Sequence, residues 1–175
     1  IAEQVNEDER ARNTVRNQFS RQAEISAKVV KGKETEADKY RDYFEFSKPL
    51  KKCTSHQLLA IRRAEAEGLL KVSISPDDEE CVERLERRFV RSNNACGEQV
   101  AEAVQDAYKR LLKSSIETEF AAQSKEQADE EAIRVFVQNL RQLLLASPLG
   151  QKRVMGIDPG FRTGCKVIKS EAKRS

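Results

Sequence analysis

The sequence predicts a mainly α-helical assembly built around a long helix, with a short strand near residues 69–75 and a terminal β-hairpin. Three observations lead there. The 175 residues include only 7 Gly and 4 Pro, the residues that most readily interrupt helices. Charged residues make up 35% of the chain, against roughly 25% in an average domain, which suits helices with long solvated faces. Between Gly97 and Pro148 neither breaker occurs. Hydrophobic residues still reach 38%, enough to exclude wholesale disorder.

Residues 1–31 also lack Gly and Pro and carry an apolar stripe through Val5, Val15, Phe19 and Val29 or Val30. The spacing predicts helix throughout, closed by Gly32 at the C-cap. Thr35-Glu36-Ala37-Asp38 opens a second short helix with Tyr40, Tyr43 and Phe44 on its apolar side. Pro49 then fits the first turn of whatever follows. Thr54-Ser55-His56-Gln57 is a capping-box pattern, and the helix it starts aligns Leu58 and Ile61 before ending at Gly68. Leu70, Val72 and Ile74 alternate with Lys71 and Ser73, which is a strand. Ser75-Pro76-Asp77-Asp78 reads as a helix start, with Ser75 as N-cap and Pro76 at the first position. Val82, Leu85 and Phe89 form its buried face.

The next helix begins near Ala95 and aligns Val100, Val104, Ala107 or Tyr108, and Leu111. Ser114-Ser115-Ile116-Glu117 offers an internal capping box, so a break or kink is expected there. Ile133, Val137, Leu140 and Leu144 continue the cleanest helical stripe, and burial of Leu140 and Leu144 is expected. Val154 to Gly160 and Cys165 to Ile168 read as two strands of a hairpin. The division expected is an N-terminal helical region with a short strand over 1–92, a long helical segment over 93–148, and a further domain beginning at 149–175. The chain opens at Ile1 and stops at Ser175 in a basic stretch, as expected for a piece of a larger protein.

Several classes fall away. No apolar run approaches the roughly 18 residues a membrane span requires. The four cysteines are scattered without a C-x-x-C, and His56 is the single histidine, which argues against a zinc site or disulfide framework and for a reducing cytoplasm. No cofactor motif is present. The net charge of +3 is too small to announce nucleic acid, but cations cluster locally. From these clusters the candidate phosphate contacts are Arg12, Arg16, Lys51, Lys52, Arg62, Arg63, Arg162 and Lys166. The signal is weak, because Arg-rich helices are more often solvated faces paired with glutamate four residues away. Residues 117–131 are acidic, so the basic and acidic faces serve either internal docking or partner steering. Asp158, at a strand end before Pro159-Gly160, is where a metal-dependent nuclease would place a carboxylate. An Asp tying its own turn gives the same pattern.

Four ordered motifs resemble the Tex family of bacterial transcription accessory proteins. They are Arg-Asp-Tyr-Phe-Glu-Phe-Ser at 41–47, Ser-His-Gln-Leu-Leu-Ala at 55–60, Ala-Asp-Glu-Glu-Ala-Ile at 128–133, and Gly-Ile-Asp-Pro-Gly-Phe-Arg-Thr-Gly-Cys-Lys at 156–166. Gln57 and Ala64 depart from it, standing where the family usually has Arg and Gly. The resemblance implies a multidomain, nucleic-acid-binding transcription factor related to a eukaryotic elongation factor. It implies a helical region around a central long helix, followed by an RNase H-like YqgF domain and an RNA-binding OB-type domain. This chain would then hold the helical region, the central helix and the first hairpin of YqgF. Its partners would be nucleic acid, bound weakly, the transcription machinery and the remaining domains. In that family YqgF is regarded as lacking nuclease activity, so Asp158 would be a vestigial acidic position. The expectation is a non-enzymatic, nucleic-acid-associated structural module. A nuclease fragment using Asp158 and a pure protein-docking scaffold are the alternatives.

Overall fold

The computed structural model describes every residue except 148, 149, 151, 161–163 and 171–175. It divides into two compact units, Ile1–Val135 and Phe136–Ser175.

In the first unit, α1 (Ala2–Glu7) and α2 (Glu9–Gln22) lead into strand β1 (Glu24–Val29). Asp8 caps α2 by accepting from the Ala11 N–H at 2.7 Å. The continuous helix expected over 1–31 is therefore broken at Asp8 and ends at Gln22. Ile25 and Ala27 are buried while Glu24 and Lys28 are exposed, a period of two that the lack of Gly and Pro concealed. Tertiary pairing decides the matter, because β1 is the central strand of an antiparallel sheet ordered β2-β1-β3. β2 (Glu45–Pro49) was not anticipated. Pro49 closes this edge strand and caps the short 3₁₀ helix Leu50–Lys52, whose Leu50 N–H donates to Ala23 O at 2.8 Å. The expected second helix is only a 3₁₀ segment, Asp38–Tyr43, which buries Tyr40.

The capping box of Thr54 and Gln57 opens α3 (Ser55–Ala66), with Leu58, Ile61 and Ala64 buried. Gly68 adopts φ +68°, the left-handed turn that ends the helix. β3 (Leu70–Ser75) follows as expected, with Leu70 and Ile74 in the core. α4 (Asp78–Phe89) is capped by Asp77, not Ser75. Ser75 is the last residue of β3, and its hydroxyl turns instead to the Asp78 carboxylate at 3.1 Å.

α5 (Ala95–Asp106), a π-helical turn (Ala107–Leu112) and α6 (Lys113–Leu144) follow without interruption. The irregularity thus precedes Ser114-Ser115 instead of falling on it, and α6 is unbroken. Glu117 does not reach back as a cap, because it accepts from the Ile74 N–H on edge strand β3 at 2.8 Å. The π turn has a physical cause. At about 100° per residue, an unbroken α-helix would rotate Ile116 about 120° away from the face holding Val104. One extra residue in the wider turn cuts that to about 20°. Val104, Tyr108, Leu112 and Ile116 are accordingly all fully buried, with Leu112 rather than Leu111 facing inward.

The C-terminal stretch of α6 corrects a second expectation. Leu140 is 40% and Leu144 75% exposed, and Ile133, Phe136, Val137 and Leu143 are exposed as well. Helical spacing specifies a stripe but not what covers it. The second unit contains the end of α6 and a hairpin of β4 (Val154–Pro159) and β5 (Cys165–Ser170), antiparallel with Asp158 opposite Lys166. The described hairpin residues are exposed on both faces.

Candidate nucleic-acid interface

α2 presents Arg12 and Arg16 one turn apart on the side facing α6. Arg12 donates to Asn6 Oδ1 at 3.1 Å and to Ser115 Oγ at 2.9 Å. Arg16 Nε lies 3.0 and 3.1 Å from the two carboxylate oxygens of Glu119, and its Nη1 donates to Asn13 at 3.3 Å. Phe19, about a turn beyond Arg16 on α2, meets Phe120, the neighbour of Glu119 on α6, with ring centroids 5.4 Å apart.

These rings lie in a cleft of 380 Å³ also lined by Ser20, Lys51, Ser55, Gln123 and Glu131. That volume falls within the range of ligand-sized pockets, roughly 300–1,000 Å³. Glu131 of α6 accepts a hydrogen bond from Ser55 at the start of α3. Lys51 is exposed in the 3₁₀ turn Leu50–Lys52, which the Leu50–Ala23 bond ties to the end of α2. Lys51 thus lines the cleft, while Arg16 and Arg12 lie one and two turns before Ser20 on α2 and are not among its lining residues.

Lys52 is exposed on the same 3₁₀ turn and Arg63 is exposed on α3, but neither lines the cleft. The Arg62 side chain is only 13% exposed and holds Glu65 at 2.7 Å. Its Nε and Nη2 are enclosed without a hydrogen-bond partner among the described residues, so this guanidinium is not presented to solvent. Lys166 is exposed on β5. Arg162 lies outside the described residues.

The most tightly knit polar group escaped the sequence reading. Asp78 accepts from Tyr108 Oη at 2.6 Å, from Lys113 Nζ at 2.5 Å and from Ser75 Oγ at 3.1 Å. Burial opposes ionisation of Asp78, but the hydrogen bonds from Lys113 and Tyr108 outweigh it and hold the carboxyl below its ordinary value. Burial, reinforced by that carboxylate, pushes the Tyr108 phenol upward. Burial also raises the thiols of Cys53 and Cys81, so neither is a ready thiolate nucleophile. Among the described residues no group of three His, Cys, Asp or Glu side chains is placed to hold a metal ion. No helix among them is long and apolar enough to cross a membrane.

Comparison with known proteins gives this architecture its relatives. Residues 1–136 match the family described as Tex central region-like. The chain belongs to that family. It is 36% identical to the transcriptional accessory protein Tex of Neisseria gonorrhoeae over 183 residues, covering 99% of this chain and 24% of that protein. It is likewise 36% identical to protein YhgF of Escherichia coli, over 98% of this chain and 24% of the relative. S1 RNA-binding domain-containing protein 1 of Homo sapiens is 36% identical over 152 residues, 83% of this chain and 15% of its own length. The chain thus spans about a quarter of the length of the bacterial Tex relatives it matches. The motif at 128–133 sits on α6 inside the matched Tex region, and the one at 156–166 begins on β4 beyond it.

Proposed function

We propose that this chain is a non-catalytic, nucleic-acid-associated structural module of a Tex-like transcription accessory factor that works in the cytoplasm. Family membership carries the transcriptional part of this reading. The nucleic-acid part rests on the arginine pair Arg12 and Arg16, which α2 sets against α6, and on Lys51, which lines the cleft further along the same junction. One relative is named for an S1 RNA-binding domain, which is consistent with RNA as the ligand. Aromatic residues amount to only 6% of the chain, so phosphate contact dominates over base stacking in this reading. The hairpin of β4 and β5 would be the opening of a YqgF domain with an RNase H-like fold, its exposed faces meeting further parts of the same protein.

Titration of labelled single-stranded RNA and DNA with the chain at several salt concentrations tests the reading. Weak binding, nearly blind to sequence and falling steeply with salt, is the expected result. Saturable binding to RNA polymerase without any salt-sensitive nucleic-acid binding would favour a protein-docking scaffold instead. Strand cleavage with Mg²⁺ that disappears in Asp158→Asn would overturn the non-catalytic assignment.

A further inference from the structure

Arg16 and Glu119 meet across α2 and α6 in the open. Their side chains remain 36% and 44% exposed, and an ion pair so accessible adds little to stability. Glu119 makes no other hydrogen bond or ion pair among the described residues. Glu117, on the same helix, is by contrast committed to the backbone of β3. One turn back, Ser115 occupies a guanidinium nitrogen of Arg12. The first turns of α6 therefore lay an acceptor over each of the two arginines that α2 offers at i, i+4. A carboxylate on a guanidinium occupies the place a phosphate takes, with the same charge sign and the same acceptor oxygens. Ser20 continues this face of α2 into the cleft that holds Lys51, giving a polyanion a path beyond the arginine pair.

We infer that Glu119 masks Arg16, one member of a phosphate-binding pair with Arg12, and that a nucleic-acid phosphate competes with Glu119 for the Arg16 guanidinium. This rests on the nucleic-acid reading above and adds to it a contact that holds affinity down. The exchange replaces one anion by another and leaves the buried packing of Val15, Phe19 and Ile116 untouched.

Anisotropy titrations of a labelled single-stranded oligonucleotide decide it, using the 175-residue chain and three variants. Glu119→Gln should tighten binding several-fold and raise the salt slope by about one ion. Glu126→Gln makes the same change of net charge at an exposed position of α6 and should alter affinity by at most about twofold. Arg16→Gln combined with Glu119→Gln should lose the gain. A Glu119→Gln affinity no higher than that of Glu126→Gln overturns the mask, as does a gain that survives in the double variant. Binding by none of the four chains removes the nucleic-acid reading itself, and the mask with it.

Discussion

Asp78 shows how one carboxylate can serve a role that its sequence context conceals. Its neighbours Ser75, Pro76 and Asp77 read as a helix start, and Asp77 does cap α4, accepting from Glu79 and Glu80. Asp78 instead holds Tyr108 of the π turn and Lys113 at the start of α6. Its folded pKa lies below the ordinary 3.8, so the stabilisation is complete above about pH 4 and is lost as pH falls through the lower folded value. Asp78→Asn should therefore destabilise the chain at neutral pH, by about 1 kcal/mol, since the carboxylate that holds Tyr108 and Lys113 is 47% exposed and partly screened by solvent. It should also flatten the acid limb of the stability profile. Denaturant unfolding at pH 7 and near pH 3 measures both, and a variant with the parent's acid dependence would refute the assignment. Gly97 has a different residue-scale constraint: a Cβ there would stand 1.8 Å from Ser92 O. The first turn of α5 is thus a close backbone approach that only glycine admits.

At the scale of elements, the π turn is what allows α5 and α6 to share one buried face. It also aligns the two ligands of Asp78. Residues five apart in an α-helix point about 140° from one another, and the wider turn reduces this to about 40°. A counterintuitive deletion follows. Removing Lys109, exposed within the π turn, would restore an ordinary α-helix while keeping Val104, Tyr108, Ile116 and Lys113 on their present sides. Removing Thr118, exposed in the regular part of α6, would turn everything beyond it by about 100° and carry Phe120 away from Phe19. Thermal unfolding should show the Lys109 deletion close to the parent and the Thr118 deletion strongly destabilised. Equal damage from both would mean the π turn does not set the alignment.

For the whole molecule, the two units differ in how much they bury. The first encloses a core from Val5 to Ala128 around a sheet whose central strand is hydrogen-bonded on both sides. The second holds a two-stranded hairpin whose described side chains are exposed, and a lone hairpin is marginal in water. Hydrogen exchange in a dilute sample should find the amides of Val154–Asp158 far less protected than those of Ile25–Ala27. Comparable protection would mean that the hairpin is covered by something in solution. The charge separation between the Arg-rich α2 and the acidic α6 is likewise used internally, through Arg16 and Glu119.

What the sequence determined by itself was local. Helix content, the capping box at Thr54, the turn at Gly68, β3 and the terminal hairpin are all written in short-range spacing and cap chemistry, because each is satisfied within a few residues of chain. The clustering of cations on α2 was legible for the same reason. Tertiary structure decided whatever depends on a partner remote in sequence. It made 24–29 a strand, since pairing with β2 and β3 outweighs an unbroken helical composition. It left Leu140 and Leu144 exposed, since periodicity states which face is apolar and not what packs on it. It set Glu119 on Arg16 and Ser115 on Arg12, each across 103 positions of chain. It also enclosed Arg62 while leaving Lys51 open, because a cation's availability depends on the surfaces folded around it and not on its neighbours in sequence.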